Sequence, residues 1–174
     1  MATHKQKKRV VRVSDWMSDC VLAVEVYDSI SIARQLMAKH RINQLPVLDN
    51  DRLVGIVTDR DIRDAYPTSM LIGRPKEIDH FAESYTVEEV MSHNVFTVGP
   101  ETPLATAISI LRRHRVGSLP VIRGKTLVGI ITRSDILDFV LSGADISELV
   151  PGATKRKSAR VVRKPKAGAT RLRT

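Results

Sequence analysis

Shifting the chain by 74 positions lays residues 13–64 over 87–138 without a gap, and nineteen of those 52 pairs are identical. They include Met17 with Met91, Ala33 with Ala107, His40 with His114, and Leu45-Pro46-Val47 with Leu119-Pro120-Val121. Most other pairs swap like for like, as Ile42 with Val116 and Val57 with Ile131. Agreement at a single register marks an internal duplication, which binds both halves to one architecture. A copy of about 50 residues cannot bury enough apolar surface alone. The two copies are therefore expected to pack face to face about a pseudo-twofold axis.

Both copies share one grammar. A short apolar stretch, Val21 to Val24 or Val95 to Val98, leads to a turn. A helix start follows, predicted at Asp28 in the first copy and at Thr102-Pro103 in the second. Leu104, Ala107, Ile108 and Leu111 then recur at the spacing of one helical face. LPVL and LPVI predict a short buried strand, and LVGIV and LVGII a second strand paired to it as a hairpin. A second helix begins at Thr58 and at Thr132, ending before Pro67 and near Gly143. The fold class predicted is α+β, with the order β-α-β-β-α written twice. Pro67, Gly73 and Pro75 make the first part of the connection a loop, and EIDHFAESY suits a short helix.

Charge divides the chain differently. Residues 1–12 carry five bases and residues 151–174 carry nine, with no acid in either segment, which leaves 14 basic against 19 acidic residues in 13–150. The body is mildly acidic, and the formal net charge of +9 belongs to the ends. The expected organisation is a basic arm (1–12), repeat one (13–66), a linker (67–86), repeat two (87–142) and a tail (143–174). The tail's Pro, Gly, Ala and Lys/Arg composition predicts disorder. Lys155, Arg156, Lys157, Arg160, Arg163, Lys164 and Lys166 suit a nucleic-acid or other polyanion contact through phosphate charge, or a merely solubilising end. No aromatic residue accompanies them for base stacking. Cys20 is the only cysteine, which excludes an intrachain disulfide and a CxxC site, and suggests a reducing, cytoplasmic setting. No stretch approaches the ~18 continuous apolar residues of a membrane span, and no apolar segment follows the basic start as in a secretory signal.

The polar set written twice is T-x-x-D: Thr58 with Asp61, and Thr132 with Asp135. One reading is a capping box, in which hydroxyl and carboxylate serve the first turn's own amides. The other is a ligand site, where a helix N-terminus attracts phosphate and an acid accepts from a ribose diol. The two readings are compatible. Gly55 and Gly129 suggest a strand backbone approached closely by a ligand. His40 and His114, each followed by an arginine, suit a helix C-terminus or a weak phosphate contact better than a metal, since no Cys or Glu cluster accompanies them. Neither a nucleophile–base pair nor a GxxxxGK[ST] loop is present, so the chain is not expected to be an enzyme.

The duplicated unit, with LPV before each hairpin and GIVTDRD and GIITRSD after it, resembles the tandem cystathionine-β-synthase (CBS) domain pair, or Bateman module. The resemblance spans roughly residues 13–141. It implies a small sheet with helices on one side, pairs that often form flat homodimers, and a sensor binding AMP, ADP, ATP or S-adenosylmethionine. Carried over by residue, it implies ribose contacts from Thr58 and Asp61 in one pocket and from Thr132 and Asp135 in the other. Adenine walls would come from the backbone near Val24 and Val98 and from the corners at Pro46 and Pro120. Arg60 and Arg133 would reach phosphate from non-equivalent positions, so unequal affinities are expected. With no effector domain in 174 residues, output is expected to pass to an unknown partner protein or through the tails. The rival expectation is a nucleic-acid-associated protein in which the duplicated body is a dimerisation scaffold.

Overall fold

The structure, a computed structural model, describes residues 10–66, 75–144 and 149, with side chains of 75–79 left aside. The first copy runs β1 (Val24–Glu25), α1 (Ile30–His40), β2 (Gln44–Asp49), β3 (Arg52–Thr58) and α2 (Asp59–Ala65). The connecting helix is α3 (Pro75–Ser84), as EIDHFAESY predicts. The second copy runs α4 (Leu104–His114), β4 (Ser118–Arg123), β5 (Thr126–Thr132) and α5 (Arg133–Leu141). The five strands form one sheet in the order β1-β2-β3-β5-β4, with β3 and β5 meeting only at Arg52 and Thr126. The class is α+β, as expected.

Hairpins form where expected. Val47 faces Gly55 across the first, and Val121 faces Gly129 across the second. Asn50 and Asp51 turn the first hairpin with φ of 48° and 63°, which short polar side chains tolerate. The second copy lacks a counterpart to β1 and keeps a single bridge, Val98 to Val121. The reason is chemical. Val26 donates its N–H to the Leu48 carbonyl at 2.9 Å, whereas the equivalent Pro100 has no N–H to give.

The helix caps fall one residue later than the sequence suggests. Ser29 caps α1 and accepts from the Ile32 N–H, while Pro103 precedes α4. Asp28 and Thr102 instead close the preceding turn, accepting from the Glu25 N–H at 2.8 Å and the Gly99 N–H at 3.1 Å. Short polar side chains serve such turns as readily as caps.

The copies exchange their leading segments. Val13, which opens the first copy, is buried in the second core beside Leu104, Leu119, Ile131 and Phe139. Val87, its counterpart, is buried in the first core beside Ile30, Leu45 and Val57. The hydrogen bonds repeat this symmetry: Val13 N–H to the Thr102 carbonyl at 2.9 Å, and Val87 N–H to the Asp28 carbonyl at 2.8 Å. Ser18 bridges Ile130 while Ser92 bridges Ile56. Reciprocal contacts of this kind are the signature of a twofold relation. Ahead of Val87, Thr86 and Glu89 form a capping box, and hydrogen bonds from the Thr86 backbone and hydroxyl hold the Glu89 carboxyl below the usual glutamate range.

This crossing also explains the two glycines. A Cβ on Gly55 would lie 2.4 Å from Met91 Sδ, and one on Gly129 would lie 2.7 Å from Met17 Sδ and 3.0 Å from the Ser18 carbonyl. The close approach is therefore made by the chain's own exchanged segments, and the expectation of a ligand there is corrected.

Candidate functional site

Each T-x-x-D set closes a capping box at the end of its hairpin. Thr58 Oγ1 accepts from the Asp61 N–H at 3.2 Å, and Asp61 Oδ2 accepts from the Thr58 N–H at 2.8 Å and the Thr58 hydroxyl at 2.7 Å. Thr132 and Asp135 repeat the arrangement, with Asp135 Oδ2 accepting from the Thr132 N–H at 2.6 Å. The capping reading is thus realised. These bonds use one carboxylate oxygen only, and among the described residues Oδ1 of either aspartate accepts none. Both aspartates are half-buried and line cavities.

The two cavities are images of each other at the repeat offset. One, of about 300 Å³, joins Thr132 and Asp135 of the second copy to Ser18, Val21 and the Arg41–Gln44 corner of the first. The other, of about 240 Å³, joins Thr58 and Asp61 of the first copy to Ser92, Val95 and the Arg115–Ser118 corner of the second. Each site therefore belongs to both copies. Helix α1 ends in left-handed Arg41 (φ 55°) and α4 in left-handed Arg115 (φ 58°), and each arginine lines a cavity.

Differences break the symmetry. Cys20 and Leu22 in the larger cavity correspond to Asn94 and Phe96 in the smaller. The Phe96 ring stacks on His114 with centroids 3.9 Å apart, which gives that histidine a packing role. Gln44 lines both cavities, and a Cβ on Gly117 would come within 2.9 Å of its Oε1. Ser118 is buried in the wall of the smaller cavity, and its hydroxyl has no hydrogen-bond partner among the described residues.

The predicted site residues divide into two groups. Thr58, Asp61, Thr132 and Asp135 come together with the cavities as described. Val24, Pro46 and Pro120 are buried in strands, Val98 is buried at its single bridge, and none of the four lines these cavities. The apolar walls come instead from Val21, Leu22 and Ile42, and from Val95, Phe96 and Val116. Arg60 pairs with Asp64 at 3.5 Å, its side chain 82% exposed, and does not line the cavity of Thr58. Arg133 is exposed and outside the cavity of Thr132, where Ser134 stands instead. Sequence reasoning missed the wall residues and the placement of Arg41 and Arg115, although both arginines are among the identical pairs. Tail residues Lys155 through Lys166 lie outside the described residues. Among the described residues, no cluster of three His, Cys, Asp or Glu could hold a metal, and no helix is long and apolar enough to cross a membrane.

Comparison with known proteins places these features. The CBS domain family matches residues 13–68 and 87–142. A CBS domain-containing protein of Dictyostelium discoideum is 32% identical over 133 residues, 75% of this chain and 92% of that one. An inosine-5′-monophosphate dehydrogenase of Korarchaeum cryptofilum is 34% identical over 132 residues, 74% of this chain but 24% of the enzyme. The CBS domain pair of protein MJ0100, solved with 5′-methylthioadenosine and S-adenosyl-L-methionine, is similar with TM-score 0.64 and 27% identity, covering 78% of this chain and 99% of that one. CBSX2 from Arabidopsis thaliana, solved with AMP, is similar with TM-score 0.61 and 25% identity, covering 75% and 97%.

Proposed function

The chain belongs to the CBS domain family, and from that premise we propose that it is a regulatory, non-catalytic protein that binds adenosyl ligands in the two inter-copy cavities. The observation that carries this reading is the pair of offset-related cavities, each lined by a T-x-x-D aspartate with an uncommitted carboxylate oxygen. The free oxygen suits a ribose hydroxyl. Arg41 and Arg115 suit a phosphate or carboxylate, and replace Arg60 and Arg133 in that role. Similar pairs hold S-adenosyl-L-methionine or AMP, which makes those ligands the first to test. A ligand touching both copies favours one relative arrangement of them, and a partner protein in a reducing, cytoplasmic setting reads the difference.

A thermal-shift panel with AMP, ADP, ATP and S-adenosylmethionine tests the proposal. At 100 times its dissociation constant, a true ligand stabilises by about 2.7 kcal/mol. That corresponds to a melting point raised by about 5–10 °C for a chain of this size. A panel in which no compound moves the melting point overturns the reading.

Assembly as a homodimer through α5 is part of the same proposal. Leu137 and Leu141 are 63% and 82% exposed one helical turn apart, with Val140 beside them. The position in α2 equivalent to Leu137 is Arg63, which pairs with Asp59. One helix of the symmetric pair is thus solvated by charge, and the other offers apolar surface to a second copy. Sedimentation velocity should report a dimer that Leu137→Glu with Leu141→Glu converts to monomer. An unchanged sedimentation coefficient in that variant rejects α5 as the contact.

A further inference from the structure

A third cavity lies where the two hairpins meet, away from both T-x-x-D sets. It has a volume of about 290 Å³ and is floored by Leu53, Val54, Val95 and Ile122. Arg52 from the start of β3, His93 from the exchanged segment, and Lys125 from the β4–β5 turn converge on it. Gly124, with φ of 65°, forms part of the rim. None of the three basic side chains makes an ion pair among the described residues. The nearest carboxylates along the chain, Asp49 and Asp51 in the first hairpin turn, do not line the cavity.

The duplication supplies an internal control. At the repeat offset, Arg52, His93 and Lys125 correspond to Thr126, Asp19 and Asp51. The two adenosyl cavities keep their polar residues in both copies, with Ser, Arg, Thr and Asp repeated. Here a hydroxyl and two carboxylates at the offset positions answer the two cations and the imidazole of the cavity. The basic character is therefore not inherited from the repeat. It belongs to this one cavity.

We propose that this cavity is an anion site for a small phosphate-bearing molecule, distinct from the two adenosyl cavities. Cations gathered over an apolar floor, with no ion pair among the described residues, gain more from a phosphate than the same groups dispersed in water. Arg52 supplies a planar fork of donors for two phosphate oxygens, and Lys125 a compact charge for a third. No carboxylate lines the cavity to accept from a ribose, which suits a phosphate or diphosphate group rather than a whole nucleotide. The segment 92–97 separates this site from the smaller adenosyl cavity. His93 and Thr97 face the anion site, Ser92, Asn94 and Phe96 line the other, and Val95 touches both.

Inorganic pyrophosphate is the probe, titrated into the full chain and followed by amide NMR shifts, which separate this site from binding along the basic ends. Saturable shifts are expected at Arg52, His93, Gly124 and Lys125. Arg52→Gln with Lys125→Gln should weaken them by at least about ten-fold, the scale of losing one charge-assisted hydrogen bond. Asp61→Ala with Asp135→Ala should leave them in place, so failure of the adenosyl sites and failure of this one are separable. Both side chains are exposed, so the glutamine variant should melt as the parent does. Shifts that grow linearly without saturation, or saturate equally in that variant, overturn the site.

Discussion

Phe139→Ala is expected to lower the folding free energy by about 3–5 kcal/mol, the usual cost of deleting a buried aromatic ring. Phe139 is 1% exposed, and its ring meets Trp16 edge-on with centroids 5.2 Å apart. Trp16 belongs by sequence to the first copy but packs on the second core. Phe139 is therefore a keystone of the exchange as well as a core residue. The equivalent position in the first copy is Ala65, and there aromatic bulk comes from Tyr66 and from Phe81 of the connecting helix, with centroids 5.1 Å apart. The two cores are completed from different parts of the chain, so the rings of the first, Tyr66 and Phe81, do not pack in the core that loses Phe139. In urea the midpoint should fall with an unchanged m-value. A loss under about 1 kcal/mol would mean that the ring is not packed as described. Combining Phe139→Ala with Trp16→Ala should depart from additivity by about 0.5–1.5 kcal/mol, the worth of an aromatic pair. Strict additivity would remove Trp16 from the second core.

That exchange is the part of the fold least legible in the sequence. The duplication shows two equal units, and periodicity places Leu104, Ala107 and Leu111 on a buried face. Val13 and Val87, however, are apolar and would be buried equally well in their own copy or the other. Hydrophobic pattern carries no address. The reason for Gly55 and Gly129 was hidden for the same cause, because the atoms that approach them, Met91 and Met17, come from the opposite copy. The helix entries shifted by one residue because Asp28 and Thr102 serve a turn where a cap is chemically equivalent.

Within the site, the doubled T-x-x-D spacing is local, and it points correctly to its own cap geometry. The walls are not local. Val21 and Val95 reach cavities while Val24 and Val98 enter the cores, a choice made by how each extended segment bends. Arg60 looks poised in TDRD, but the i,i+4 partner Asp64 holds it on the outer face of α2. Arg41 and Arg115 line the cavities from left-handed backbone at the helix ends, a conformation that no residue-type pattern announces for arginine.

The dual use proposed for the aspartates yields the second large effect. Asp61→Ala with Asp135→Ala should weaken adenosyl binding at each site by about 10- to 150-fold, since each site loses a charged acceptor worth about 1.5–3 kcal/mol. The same change should cost stability, about 1 kcal/mol per lost cap arrangement. Asn replacements separate the two roles. An amide oxygen keeps the capping acceptor while giving up the charge, so Asp61→Asn with Asp135→Asn should restore much of the stability but little of the affinity. Taken singly, the substitutions should be unequal. The cavity of Asp61 offers the Phe96 ring where that of Asp135 offers Leu22, and an aromatic ring stacks on adenine. Asp61→Ala should therefore remove the tighter of two binding events in calorimetry, and Asp135→Ala the weaker. If both alanine variants bind as the parent does while losing only their caps, the carboxylates serve the helices alone, and the cavities must recognise their ligand by other groups.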